Sequence, residues 1–181
     1  MLKVIAAIVV AIIVMVAVVA LIGSRLPVAH VASRSVLINA PTDVVFSAMT
    51  DFAASPTWRS GVKSVVVTTD PSDGQQRVVE DSKNGKMTMK VEQIVPPARF
   101  VTRIVDEGLP YGGAWAHALE AQGNATSVTI TEHGEVFNPI FRFVSKYIIG
   151  HNGTIDAYLT DLGRKFGATV TPVDAAPVPL K

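Results

Sequence analysis

The strongest constraint in this chain is a change of hydrophobic period at Asn138-Pro139. From residue 62 to residue 133 the apolar runs are strand-length and separated by turn residues. Residues 62–69 are rich in β-branched side chains, and residues 77–82 follow the turn Pro71-Ser72-Asp73-Gly74. Asn84-Gly85, a strong two-residue hairpin signal, leads into residues 86–94. There Met87, Met89 and Val91 alternate with Thr88, Lys90 and Glu92, the pattern of a half-buried strand. Pro96-Pro97 ends it, residues 99–106 follow, and Gly108 to Gly113 reads as a loop. Residues 114–121 and 127–133 form a last pair around Gln122-Gly123-Asn124. Beyond Asn138-Pro139, a capping side chain followed by proline at the first helical position, the spacing becomes three and four. Ile140, Val144, Tyr147, Ile148, His151, Ile155, Tyr158, Leu159, Leu162 and Phe166 then predict an amphipathic helix of about 25 residues, interrupted near Gly150 and Gly153. Gly150 and Gly153 mark either a bend in it or a close packing partner. Hairpin-linked strands make an antiparallel sheet, and a single long helix must cover one face of it. The fold class is α+β.

The segment before the meander is more irregular. Residues 34–38 read as a strand, which Asn39-Ala40-Pro41 breaks, because proline disfavours helix for the residue before it. Thr42 or Asp43 can then cap a helix whose apolar stripe is Val44, Val45, Ala48 and Met49. A second break, Ser55-Pro56-Thr57, precedes Trp58. The order is therefore one strand, two short helices, six strands and one long helix, a sheet of about seven strands in all.

The ends of the chain are of different character. Residues 4–22 hold no polar side chain, and about 19 residues at about 1.5 Å each nearly cross a bilayer core of about 30 Å. A buried soluble helix of that length would show a polar face. The run predicts a single-pass membrane anchor, since neither Leu21-Ile22-Gly23 nor His30-Val31-Ala32 makes a good cleavage site. Lys3 and the terminal amine on one flank nearly balance Arg25 and Arg34 on the other. The short basic start resembles an export signal and leans the domain to the exported side of the cell membrane. The chain divides into an anchor (1–24), a linker (25–33), a domain (34–167) and a frayed tail (168–181) holding Pro172, Pro177 and Pro179. Its net charge is +1, and setting Lys3 aside leaves fifteen basic against fifteen acidic residues. A neutral domain with no basic run lacks the footprint of a nucleic-acid binder. With no cysteine, it has neither a disulfide framework nor thiolate chemistry.

The order of elements, with the residues that carry it, resembles the START-like (SRPBCC, helix-grip) superfamily, closest to its bacterial polyketide cyclase/dehydrase and lipid-transport group. The matching pieces are "INAPTDVVFSAMTDFAASPTWRSGVKSV" at 38–65, "GGAW" at 112–115, "TSVTITEHGEV" at 126–136 and "NPIFRFVSKYIIGHNGTIDAYLTDL" at 138–162. The likeness spans roughly residues 34–166. It implies a curved sheet around the long helix, closed at one end by the two short helices, with Trp58 plugging or lining the space beneath. The enclosed hollow implies an apolar ligand, such as a lipid, held among mostly apolar walls. The candidate ligand-binding residues are Trp58, Met87, Met89, Phe100, Ile104, Trp115, His117, Leu119, Tyr147, His151 and Ile155. The alternatives are a core these residues simply fill, which would make an interaction module, and an enzyme of cyclase, aromatase or hydrolase type.

For that enzyme the acid/base would be His117, which shares a strand face with Trp115 and Leu119. His151, on the helix stripe, is placed to face it across the cavity. His133 is a strand-end residue, and His30 belongs to the linker. Of the charged residues on the strands, Glu80, Asp81, Arg103 and Glu120, three belong to solvent, and one turned inward would supply a polar anchor. The loop at Leu109 to Gly113 is placed to form either the cavity mouth or an ordinary turn. No HExxH, GxSxG, P-loop or GxGxxG before a helix occurs, and no catalytic set, metal site or cofactor is expected.

Overall fold

The computed structural model describes residues 1–83 and 85–181. Asn84, half of the hairpin signal, lies outside the described residues. An N-terminal helix α1 (Leu2–Arg25) precedes β1 (Ala29–Ile38), α2 (Thr42–Thr50) and a 3-10 turn (Phe52–Thr57). The meander follows as β2 (Val62–Thr69), β3 (Gln76–Ser82), β4 (Gly85–Val95), β5 (Arg99–Ile104), β6 (Tyr111–Gln122) and β7 (Ala125–Val136). Helix α3 (Pro139–Val144), a π-helical turn (Ser145–Ile149), helix α4 (Gly153–Lys165) and a two-residue strand β8 (Val173–Asp174) complete the chain.

The eight strands form one antiparallel, open, curved sheet in the order β2-β3-β4-β5-β6-β7-β1-β8. Register shifts between Val62 and Ser64 and between Val91 and Gln93 put irregularities into β2 and β4, and such bulges bend the strand that carries them. The anticipated strands are all present, but β1 and β6 start well before their expected bounds. β1 pairs with β7 from Ala29↔Glu135 onward, so residues 29–33 are strand and not linker. Tyr111 to Gly113 belong to β6 instead of a loop. Gly113 makes this possible: its φ is +126°, and a Cβ there would lie 2.4 Å from the carbonyl oxygen of His133.

α2 starts at Thr42 with Pro41 in the capping position, and no side chain caps it. It buries Val45, Phe46 and Met49, one step round from the expected stripe, and leaves Val44 exposed. α4 lays Ile155, Leu159 and Leu162 on the concave face of the sheet. Its buried Asp161 accepts hydrogen bonds from the backbone N–H (2.7 Å) and hydroxyl (2.9 Å) of Ser60, which ties the turn after Trp58 to the helix.

Two expectations are corrected. The long C-terminal helix is not continuous. Asn138 caps α3 by accepting from Ile140 and Phe141, and the chain then breaks at Gly150, where φ is +79°. Nothing packs within 4 Å of a Cβ built at Gly150 or Gly153, so these glycines mark a break and not a close contact. α3 packs instead on α1, so tightly that a Cβ at Gly23 would lie 1.9 Å from the Pro139 carbonyl oxygen.

The tail is docked, not frayed. β8 pairs with β1, and Arg34 binds Asp174 (2.5 Å), Asp156 (2.7 Å) and the carbonyl of Pro172 (2.6 Å). Further along, Val178 donates its N–H to Thr131 (2.8 Å) and accepts from His133 Nε2 (2.8 Å), and Arg99 reaches the carbonyl of Pro179. Prolines lack donors but keep their carbonyls, and those of Pro172 and Pro179 help hold the tail against the sheet.

α1 is about 36 Å long at 1.5 Å per residue and has a mean hydropathy of 3.5 over its most apolar 18 residues, none of them buried. By length and composition it can cross a membrane.

Candidate functional site

Between α4 and the concave sheet lies a cavity of about 70 Å³. Its apolar walls come from Met49 and Phe52 below, Val78, Met87, Met89, Phe100, Trp115 and Ile130 on the sheet, and Ile155 on α4. The period of two explains why these meet: Trp115 and His117 on β6 face the same way as Thr102 and Phe100 opposite them on β5.

The polar part of the wall is concentrated in a few side chains. Glu80, 2% exposed, takes both arms of Arg59, at 2.5 and 3.3 Å. The Arg59 guanidinium also lies 4.9 Å from the ring centre of Tyr158. Burial pushes the Tyr158 phenol up to about 12, so it stays a neutral hydroxyl. His117 stacks on Phe100 with ring centres 3.9 Å apart and planes 8° apart, and its Nδ1 is buried without a partner. Burial, with the positive charge of Arg59 adding to it, lowers its pKa to about 3. His117 is therefore neutral at physiological pH. Thr102, Ser55 and Thr154 complete the set.

Of the residues anticipated from sequence, Met87, Met89, Phe100, Trp115, His117 and Ile155 do line this cavity. Trp58 stands behind its rim, edge-on to Tyr158 at 5.3 Å. Ile104 and Leu119 are buried in the sheet without lining the space. Two residues fall elsewhere. Tyr147 sits in the π-helical turn, 57% exposed, because the helix break turns that segment away from the sheet. His151 lies beyond the same break and stacks on His30 at 3.7 Å, so it does not face His117. Burial, then the neighbouring His30, lowers its pKa.

His133 clamps the tail. Among the strand charges, Glu80 is the one turned inward, as the alternation of Val78, Glu80 and Ser82 on β3 allows. Arg59, Tyr158, Thr102, Ser55, Met49, Phe52, Val78, Ile130 and Thr154 were not anticipated as wall residues. Tyr158 had a signal, since it lies on the same helix stripe as Ile155; Arg59 had none beyond standing next to Trp58.

A curved antiparallel sheet closed on a helix over a mostly apolar hollow defines a START-like, helix-grip domain. The chain belongs to the polyketide cyclase / dehydrase and lipid transport family, which it matches over residues 29–166. No curated protein matches it. Among solved structures it is similar to a START superfamily protein from Mycobacterium smegmatis, at 16% identity and a TM-score of 0.60, over 76% of this chain and 97% of that one. A conserved protein from Geobacillus kaustophilus shares 16% identity at a TM-score of 0.59, over 76% and 95% of the two chains. Truncated norcoclaurine synthase from Thalictrum flavum shares 10% identity at a TM-score of 0.59, over 75% and 91%. At these identities the likeness is one of fold.

Proposed function

We propose that this domain binds a small lipid or other apolar molecule carrying one polar group, and that α1 holds it at a membrane while it does so. The observation that carries the reading is the cavity itself. Its wall is mostly apolar, with polar side chains at Arg59, Glu80, Tyr158, Thr102, His117, Ser55 and Thr154, which suits a guest carrying one polar group. The family it belongs to includes lipid transport, which supports a carrier.

The competing reading, an enzyme with His117 as acid/base, has less support. A general base works best with a pKa near the working pH, and burial takes His117 to about 3. Glu80 is engaged on both oxygens by Arg59 and offers no free carboxylate. The remaining role for His117 is a neutral hydrogen-bonding group beside the guest.

The test is to wash membranes with carbonate, extract the full chain in mild detergent and record its native mass spectrum. The reading expects the chain in the washed membranes and an apolar small molecule travelling with it unchanged. A soluble product beginning beyond residue 22 would refute the tether, and a guest chemically converted by the wild-type protein would refute the carrier.

A further inference from the structure

A second cavity opens where α1 gives way to β1. It is walled by residues 26–30 and Val136 on one side and by Arg142, Ser145, Lys146 and His151 on the other. Its volume is about 250 Å³, against about 70 Å³ for the first cavity. Its chemistry is cationic. Arg142 gives Nη1 to the carbonyl of Leu26 (2.8 Å) and Nη2 to that of Phe137 (3.4 Å), while its Nε is buried with no acceptor. Lys146 pairs with no carboxylate among the described residues; its ammonium lies 5.9 Å from the ring centre of Tyr147. Glu132 is the carboxylate bonded to this group, and it is already occupied. His30 Nε2 lies 3.0 Å from one of its oxygens, and Trp115 Nε1 donates to the other at 3.1 Å. Nδ1 of His30 is buried and unpartnered.

We propose that this cavity binds a phosphate group, supplied by the headgroup of a membrane lipid. A phosphate brings several acceptor oxygens and negative charge to a guanidinium and an ammonium that no carboxylate pairs with among the described residues. The place also fits. Arg142 grips the residue after α1, and Phe141, Ile148 and Ile149 stand exposed on the same segment, the last two at 71%. An apolar, basic surface beside the end of a membrane-length helix has the composition of an element resting at the headgroup level. The lipid source rests on the tether proposed above; the phosphate site does not.

The experiment is native mass spectrometry of the full chain in dodecyl maltoside. It is titrated separately with palmitoyl-oleoyl phosphatidylglycerol, with dioleoylglycerol and with inorganic phosphate. Lys146 is exposed and bonds to no structural partner, so Lys146→Gln leaves the fold in place, and circular dichroism verifies this. The proposal expects phosphatidylglycerol to bind, Lys146→Gln to weaken it about tenfold at low salt, and Lys146→Arg to restore it. Dioleoylglycerol is expected to show no dependence on residue 146. Inorganic phosphate binding with the same dependence, in a protein that proves soluble, would keep the site and change its source. If neither phosphate compound responds to residue 146 while the protein remains in membranes, the site is refuted and the tether stands.

Discussion

Acidification should destabilise this protein through His117 in particular. The imidazole has an ordinary pKa near 6.5 when unfolded and about 3 when folded, because burial excludes its charged form. A depressed histidine gives its full contribution above the unfolded pKa. Below pH 6.5 the unfolded chain takes up a proton that the folded chain refuses, so stability falls as the pH drops towards 3. The slope approaches about 1.4 kcal/mol per pH unit, and between pH 7 and pH 5 the loss is about 2 kcal/mol. The assay is urea unfolding of the full chain in detergent, followed by near-ultraviolet circular dichroism, for wild type and His117→Leu. Asp70, pulled below its usual range by Ser72, and Asp73, pulled down by Arg77, also favour the folded state less in acid. So does His151, and all three act equally in both proteins. The leucine variant loses its stack on Phe100 by a constant amount, so only the pH slope is read. It should lose about 2 kcal/mol less than wild type between pH 7 and pH 5. Parallel slopes would refute the claim that His117 is buried and neutral.

Breaking the Arg59–Glu80 pair should cost more than removing it. Arg59→Met leaves Glu80 buried without its partner and is expected to cost about 3 kcal/mol, whereas adding Glu80→Leu should recover much of that; chemical denaturation of the two variants decides. At Gly153, with open space around a new Cβ and no left-handed backbone, Gly153→Ala should stabilise by about 0.4–1 kcal/mol. A drop in melting temperature for that variant would mean the start of α4 is packed more closely than the geometry indicates.

The sheet was legible because its chemistry is local. Alternation at Met87, Met89 and Val91 and the turn residues between runs are enough to place β2 to β7, and the same alternation put Met87, Met89, Trp115 and His117 on one wall. What escaped was set by pairing at a distance. The start of β1 at Ala29 depends on β7 being long enough to receive it, and the carbonyls of Pro172 and Pro179 find donors only after folding. The helix break shows the same limit from the other direction. A stripe of three and four continues through Gly150, yet Tyr147 and His151 leave the cavity because α1 offers α3 a second surface to pack on. The Arg59, Glu80 and Tyr158 cluster joins the turn after the 3-10 segment, β3 and α4, and no spacing in the chain announces it.

The most direct test of the cavity as a binding site uses the chain's five methionines. Met49, Met87 and Met89 line the hollow, while Met15 lies on α1 and Met1 just before it, both exposed. With the methyl groups labelled with carbon-13 and the full chain held in lipid nanodiscs, 1-decanol is titrated in and the five signals are followed. Saturable shifts at Met49, Met87 and Met89 are the predicted result. Shifts confined to Met1 and Met15, with the other three unmoved, would mean that the alcohol enters only the bilayer and that the cavity takes no apolar guest.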